Sequence, residues 1–373
     1  MSNVEIRPVQ SKKDLLTFIK FQWKINQNDP NWVPPLLMDR LKVLNRKTNP
    51  YFKENPAEFF LAYRDGKVVG RITAIINHQH NKFHNDKTGF FGFLEAENDK
   101  ETFNSLLNTA EKWLKEKKFD LMMGPVNPST NDEVGFLIDG FNSPPYFMMT
   151  HNPPYYNEVM TDLGFEKAKD LYAYYIDQEK LNMQRINTLS EAMKKKFSVS
   201  IRSINLKKFN DELQIVREIY NDAWSKNWGF VPMTPEEFDF VANDFRKIID
   251  PNLVMIAEYK GNPIGFSLAI PNYNEVFKKI PNGKLFPFGI FTFLFNKNKI
   301  KSLRAITLGV TKDYQTSGIG GMLILETILR GLSAGYFSAE MSWILEDNDL
   351  MNKGALLVGG KIHKTYRIYQ KAI

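Results

Sequence analysis

Polar and apolar positions change period several times along this chain, and the same order of changes occurs twice. Residues 4–9 read as a short strand. Leu15, Leu16, Ile19 and Trp23 then fall on one stripe at helical spacing, which predicts an amphipathic helix. Two further strands are joined by a tight turn at Asp65-Gly66, where glycine supplies the positive φ that the turn demands. A strand and a long helix follow, the helix marked by Phe103, Leu106, Leu107, Ala110, Trp113 and Leu114. A fifth strand, a short helix and a closing strand pair end the series. Residues 199–204, the stripe Leu213, Val216, Ile219 and Tyr220, and the turn Lys260-Gly261 repeat it, as does the long helix carrying Ile319, Met322, Leu323, Leu325, Ile328, Leu329 and Leu332. Antiparallel strands followed by a β-α-β-α unit make an α+β fold, a mixed and mostly antiparallel sheet flanked by helices.

The register of the repeat is constant. Val4, Ile6 and Arg7 correspond to Val199, Ile201 and Arg202, with 199 − 4 = 195. Ala62, Gly66, Gly70, Ala74 and Asn77 meet Ala257, Gly261, Gly265, Ala269 and Asn272 at the same offset, and so do Asn157 with Asn352 and Gly164 with Gly359. The chain therefore reads as a tandem duplication: one domain over 1–177, a linker helix over 178–198 with Ile186, Leu189 and Met193 on one face, and a second domain over 199–373. Between its third and fourth strands the second half gains about twenty residues, among them Phe286 to Phe295 and the lysines 297, 299 and 301. The favoured reading of these phenylalanines is a lid or inter-domain plug, with contact to a long acyl chain, or to a membrane by 286–301, as the less favoured ones.

Composition narrows the chemistry. At 43% hydrophobic and 24% charged residues, the 373-residue chain can bury a core. It has no cysteine, which excludes disulfide scaffolds, thiolate metal sites and a cysteine nucleophile. The net charge of +7, from 49 basic and 42 acidic residues, is scattered, so nucleic acid is a weak inference while a polyanionic ligand is welcome. The longest nearly apolar run is far shorter than the ~20 residues of a spanning helix, and a soluble cytoplasmic protein is the expectation. His78, His80 and His84 read as loop residues without a metal pattern, so no metal is expected.

The sharpest local feature is Leu308-Gly-Val310-Thr-Lys-Asp-Tyr-Gln315-Thr-Ser317-Gly318-Ile319-Gly320-Gly321, a strand running into a glycine-rich turn and then a helix. Small residues there let a ligand approach the main chain, and the first free N–H groups with the helix dipole suit a phosphate. A glycine-rich helix start packed on a strand fits the same residues equally well.

The spacing Gln-x-x-Gly-x-Gly, with the surrounding element order, resembles the acyl-CoA pyrophosphate loop of the GNAT superfamily of acyltransferases. The resemblance extends over both halves in element order, but the loop motif stands only in the second. It implies two tandem GNAT-like domains, with acetyl-CoA or another acyl-CoA held by the second half at Leu308, Val310, Gln315, Ser317, Gly318, Ile319, Gly320, Gly321 and Asn348. In the first half an offset of 308 − 93 = 215 sets Phe103 against Gly318, so that half reads as a degenerate copy that does not hold CoA in the usual way.

The implied activity is acyl-CoA-dependent N-acyl transfer, by default acetyl transfer, to a small-molecule or peptide amine. A carboxylate or a water must take the amine's proton. Glu346 and Glu340, near the fifth strand, are the candidate bases, and each also suits an ordinary surface or capping role. The tyrosine that often serves as acid in the last helix is missing, Ala355 or Leu356 standing in its place. Tyr366 substitutes by proximity alone. Trp224, Asn227 and Trp228, with Asn127 and Tyr156 from the first half, are the candidate acceptor-binding residues, core aromatics and turn residues being the competing reading. Two other classes fit less closely: a non-catalytic acyl-CoA-binding regulator that lost its acid, and an aminoacyl-tRNA-dependent transferase.

Overall fold

The computed structural model describes residues 3–373. Its first stretch runs β1 (Glu5–Pro8), α1 (Lys12–Asn26), α2 (Leu37–Val43), α3 (Tyr51–Glu54), β2 (Ala57–Arg64), β3 (Lys67–Ile76), α4 (His78–His84), β4 (Thr88–Ala96), α5 (Lys100–Lys115), β5 (Leu121–Gly124), β6 (Val126–Asn127), β7 (Glu133–Val134), β8 (Phe136–Asp139), α6 (Tyr155–Asp162) and β9 (Glu166–Asp177). After α7 (Met183–Phe197) come β10 (Val199–Ser203), α8 (Phe209–Trp224), α9 (Pro235–Phe245), β11 (Val254–Tyr259), β12 (Asn262–Pro271), α10 (Asn274–Phe277), α11 (Ile290–Asn296), β13 (Ser302–Val310), α12 (Ile319–Ser333), β14 (Ser338–Leu345), α13 (Asp349–Leu357) and β15 (Lys361–Ala372).

The duplication is visible in the backbone as well as in the element order. The β2–β3 and β11–β12 turns place Asp65 and Lys260 at φ 50° and 51°, followed by Gly66 and Gly261 at 74° and 80°. Each hairpin carries a register shift, after Ala62 in one and after Ala257 in the other, again 195 residues apart. The repeated Gly70 and Gly265 lie under the long helices: a Cβ on Gly70 would come within 2.6 Å of Leu106, and one on Gly265 within 3.4 Å of Leu323.

The chain forms two compact units. The first comprises Met1–Asp170, Asn274–Asn296 and Thr365–Ile373; the second comprises Leu171–Tyr273 and Lys297–Lys364. This division departs from a cut at 177 and 199. The α7 segment packs into the second unit, where Ile186 is buried with Ile324, Leu325 and Met341. Residues 274–296, which carry the phenylalanines of the insert, and the end of β15 go to the first, while Lys297, Lys299 and Lys301 go to the second. In the first unit the strand order is β1-β2-β3-β4-β5, with the end of β15 added antiparallel to β5 through Tyr369↔Gly124 and Ala372↔Leu121. In the second it is β14-β13-β12-β11-β10, and the end of β9 lies on β14 through Leu345↔Leu171 and Ser338↔Asp177. In each unit the pair before the long helix's return is parallel, β4 with β5 and β13 with β14, and the other ladders are antiparallel.

The histidine cluster is helical rather than a loop. Asn77 caps α4, His80 is buried at 3.3 Å from Asp86, and its ring contacts that of His84. Among the described residues no group of three or more His, Asp or Glu side chains is placed to hold a metal ion, and no helix is long and apolar enough to cross a membrane.

Candidate acyl-CoA and catalytic site

In the second unit, β13 is paired on one side only along much of its length. Toward β12 its pairing runs to Val310, with an irregularity at Leu268/Ala269 that accommodates Ile306 as an extra residue. Toward β14 the parallel pairing stops at Ala305↔Met341. Beyond that point the two strands diverge, and Ile306, Thr307 and Leu308 are only partly buried. The main chain of β13 thus keeps an unpaired edge, the feature an extended amide-bearing ligand can use.

The strand leads into a 3₁₀ turn, Lys312–Ser317, and then into α12. The turn is fixed from outside: Lys312 N–H donates to Asp222 at 2.7 Å, and the Gln315 amide donates to the Ala223 carbonyl at 3.0 Å. Gln315 therefore anchors the loop to the end of α8. Gly318 sits at φ 92°, a conformation that strains any residue with a Cβ, and starts α12 with no side-chain cap. Ser317 Oγ donates to Tyr314 O and lies 3.4 Å from Ile319 N. The first intrahelical bond is Met322 N–H to Gly318 O at 3.1 Å. The N–H groups of Gly320 and Gly321 precede it, and a Cβ on Gly320 would meet nothing nearer than Leu308 at 3.7 Å. Space, donors and dipole coincide there, and the residues fit a diphosphate. The side chains of Ile319 and Val310 are buried and serve the core beneath.

The first unit closes the same two features. The start of α5 is capped by Asp99, whose carboxylate accepts from Thr102 N–H at 3.0 Å and is bridged with Glu101 by Arg64. Burial pushes the Asp99 carboxyl up, but hydrogen bonds from Thr102 and Arg64 outweigh it and hold it below the ordinary value. A negative charge thus fills the place that an anion would take. The helix start sets Asp99, rather than Phe103, opposite Gly318; Phe103 is wholly buried against Tyr155 and Tyr156. The gap beyond Phe90↔Met123 is filled by the β6–β7 hairpin: Phe93 N–H donates to Asn127 Oδ1 at 2.6 Å, and a Cβ on Gly92 would overlap the Val126 carbonyl.

A polar network lies on the sheet face opposite α12. Leu303 approaches Gly331 of α12, so its neighbour Arg304 points to the other face, where it pairs in register with Glu340. Glu340 has no exposed surface; it accepts from Ser342 Oγ at 2.6 Å and lies 2.7 Å from His363 Nε2. Arg304, 1% exposed, donates to Ser342 Oγ and O at 3.0 and 3.2 Å and stacks over Trp343 at 5.0 Å. The Tyr175 ring stands 5.6 Å from that of His363. With its proton on Nε2 facing Glu340, a neutral His363 carries its lone pair on Nδ1.

Several sequence candidates land elsewhere. Tyr156 is completely buried, its hydroxyl accepts from Ala96 N–H at 3.1 Å, and burial drives its phenol well above the usual range, so it is a core residue and not a substrate contact. Tyr366 is likewise wholly buried, in register with Leu137. Asn127 commits its carbonyl to Phe93. Trp224 packs against Gly309, Tyr220 and Phe266 as a half-buried wall beneath β13. Asn227 and Trp228 stand partly exposed in the turn after α8. Asn348 caps α13 by accepting from Met351 N–H, and Glu346 lies just past β14, its carbonyl 3.3 Å from Asn352 Nδ2. His363 carried no sequence signal, being 23 residues from Glu340.

No protein-family model matches the chain. It is 38% identical to the bacterial ceramide synthase of Caulobacter vibrioides over 385 aligned residues, covering 100% of this chain and 98% of that protein. It is 36% identical to protein YghO of Escherichia coli over 375 residues, covering 99% and 95%. Among solved structures, a tandem GNAT protein from the clavulanic acid biosynthesis pathway shares the fold, with a TM-score of 0.59 at 12% identity, over 99% of this chain and 98% of that one.

Proposed function

The chain belongs to the tandem GNAT-like family of these relatives, and from that premise we propose that it is an N-acyltransferase that moves a long acyl group from acyl-CoA to the amine of a long-chain amino alcohol. The observation that carries the acyl-CoA half of this reading is the uncapped, Gly318-led start of α12 beside the one-sided strand β13. The acceptor class follows from the ceramide synthase relative, since a ceramide is the amide of a fatty acid and a long-chain amino alcohol.

The thioester supplies the activated carbonyl. The amine nitrogen attacks it, the C–N bond forms, and the C–S bond breaks; the sulfur leaves as thiolate and becomes thiol by taking the proton that the amine gave up, from the His363 imidazolium directly or through water. His363 Nδ1 takes the proton that the amine must lose, and Glu340 holds the ring by Nε2–H and stabilises the imidazolium as it forms. Arg304 and Ser342 fix Glu340 in turn. Glu340 is then a positioning residue, and His363 rather than Glu346 is the base.

Thiol release tests the proposal. Long-chain acyl-CoA with a long-chain amino alcohol should release thiol, and neither compound alone should do so. Release that the amine does not accelerate would leave a binding protein and refute the catalytic reading. Gly318→Glu should abolish both release and the thermal stabilisation by CoA; undiminished stabilisation would remove the α12 assignment.

A further inference from the structure

Leu285–Asn296 exposes more apolar side chain than any comparable stretch among the described residues. Phe286 is 63% exposed, Phe288 80%, Phe291 56%, Leu294 49% and Phe295 72%. Most of them form a stripe: Phe288, Phe291, Leu294 and Phe295 recur at helical spacing along the turn before α11 and along α11 itself. The opposite side is anchored to its own unit. Phe293 stacks on Phe277 at 6.2 Å, Phe277 meets Phe147 at 5.9 Å, and Asn296 accepts from Lys279 at 2.9 Å. A lid or plug would bury these rings; here they face outward from a braced support.

Charge accompanies the rings. Lys278, Lys279 and Lys284 of the same unit are exposed, and Glu275 is the one acidic residue between 274 and 296. A soluble surface gains nothing from a row of outward phenylalanines. Aromatic rings on one face of a short helix, flanked by lysines, match the boundary of an anionic bilayer: rings enter the headgroup region and ammonium groups meet the phosphates. We propose that residues 285–296 and the flanking lysines are a docking surface for an anionic lipid bilayer. Exposure and charge alone carry this surface, whatever acceptor the enzyme uses.

Flotation of the full chain with phosphatidylcholine vesicles, with and without phosphatidylglycerol, tests it. The protein should float with the anionic vesicles, less with neutral ones, and less at high salt. Phe288→Ser with Phe295→Ser should weaken binding about tenfold or more, at an unchanged melting temperature because both rings are exposed. Lys278→Gln with Lys284→Gln should reduce the preference for the anionic lipid. Failure of the parent chain to float, or equal flotation of the phenylalanine variant, would overturn the proposal. So would a dimer that forms without vesicles, is broken by the same substitutions and does not bind lipid, which would assign the surface to a second copy of the chain. Thiol release in detergent, where no bilayer exists, should stay unchanged in both variants, so the outcome is separable from that of the catalytic reading.

Discussion

Glu340→Gln tests the catalytic arrangement with little disturbance of the fold. The side chains have nearly the same size, and Ser342 Oγ can accept from the new amide while the remaining carbonyl accepts from His363. What disappears is the negative charge beside a ring that must become positive. With charge centres about 4 Å apart and an effective dielectric of about 20, that attraction is about 4 kcal/mol. His363 keeps 21% of its side chain exposed, and water screening lowers the figure to about 2 kcal/mol. At about 1.36 kcal/mol for each factor of ten, kcat should fall between about 30-fold and about 10³-fold, with KM for acyl-CoA nearly unchanged. The assay is steady-state thiol release with both substrates, accompanied by a melting curve. His363→Ala should cost at least as much, and the double variant should be no worse than His363→Ala alone, because the two residues act as a unit. A kcat within threefold of the parent at an equal melting temperature, or losses that multiply in the double variant, would refute the pairing.

Tyr156→Phe removes the acceptor of a buried Ala96 N–H, so stability should drop by about 1–3 kcal/mol while KM for the amine stays put; a raised KM would restore a substrate role. At 100 Kd of CoA the parent chain should gain about 2.7 kcal/mol in thermal stability, and Gly318→Glu should gain none, as read by the shift in melting temperature. Burial, with a smaller contribution from His84, drives the His80 pKa down to about 4 although Asp86 opposes the shift. Between its unfolded value near 6.5 and about 4 the unfolded chain binds more protons. Stability should therefore fall as pH drops through that window, by at most about 3 kcal/mol, and His80→Gln should flatten this limb in urea titrations at several pH values.

The repeat was legible because it rests on local demands. Gly66 and Gly261 answer the same turn, and the ladders they join keep even their irregularity at matching positions. The glycine-led start of α12 was legible for the same reason. What escaped depends on long-range pairing. His363 meets Glu340 because the start of β15 and β14 belong to one unit, and no spacing announces that. Asn127 reads as a loop amide until β6 places it on Phe93. Asp99 differs: Asp99 with Thr102 three residues later is a capping pattern, local enough to mark the start of α5 in the sequence itself. The stripe 288, 291, 295 has helical spacing, but spacing alone cannot say whether a stripe faces a core or the outside.

The two halves solve one problem in opposite ways, and the difference has an energetic signature. α5 begins with a carboxylate cap, worth about 1 kcal/mol. α12 begins at Gly318 with no side-chain cap and carries Gly320 and Gly321 in its first turn, each about 1 kcal/mol less favourable than alanine. Relative to a helix with alanine at those two positions, α12 gives up roughly 2 kcal/mol, a sizeable part of the 5–15 kcal/mol or so that holds a typical domain folded. Packing does not require the loss, since the space at Gly320 would admit a methyl group. An anion that satisfies the exposed N–H groups offsets it, and the first half, which gives those donors to Asp99, has no such need. The open helix start in one copy and the sealed one in the other are the local difference on which the proposed division between a ligand-holding half and a supporting half rests.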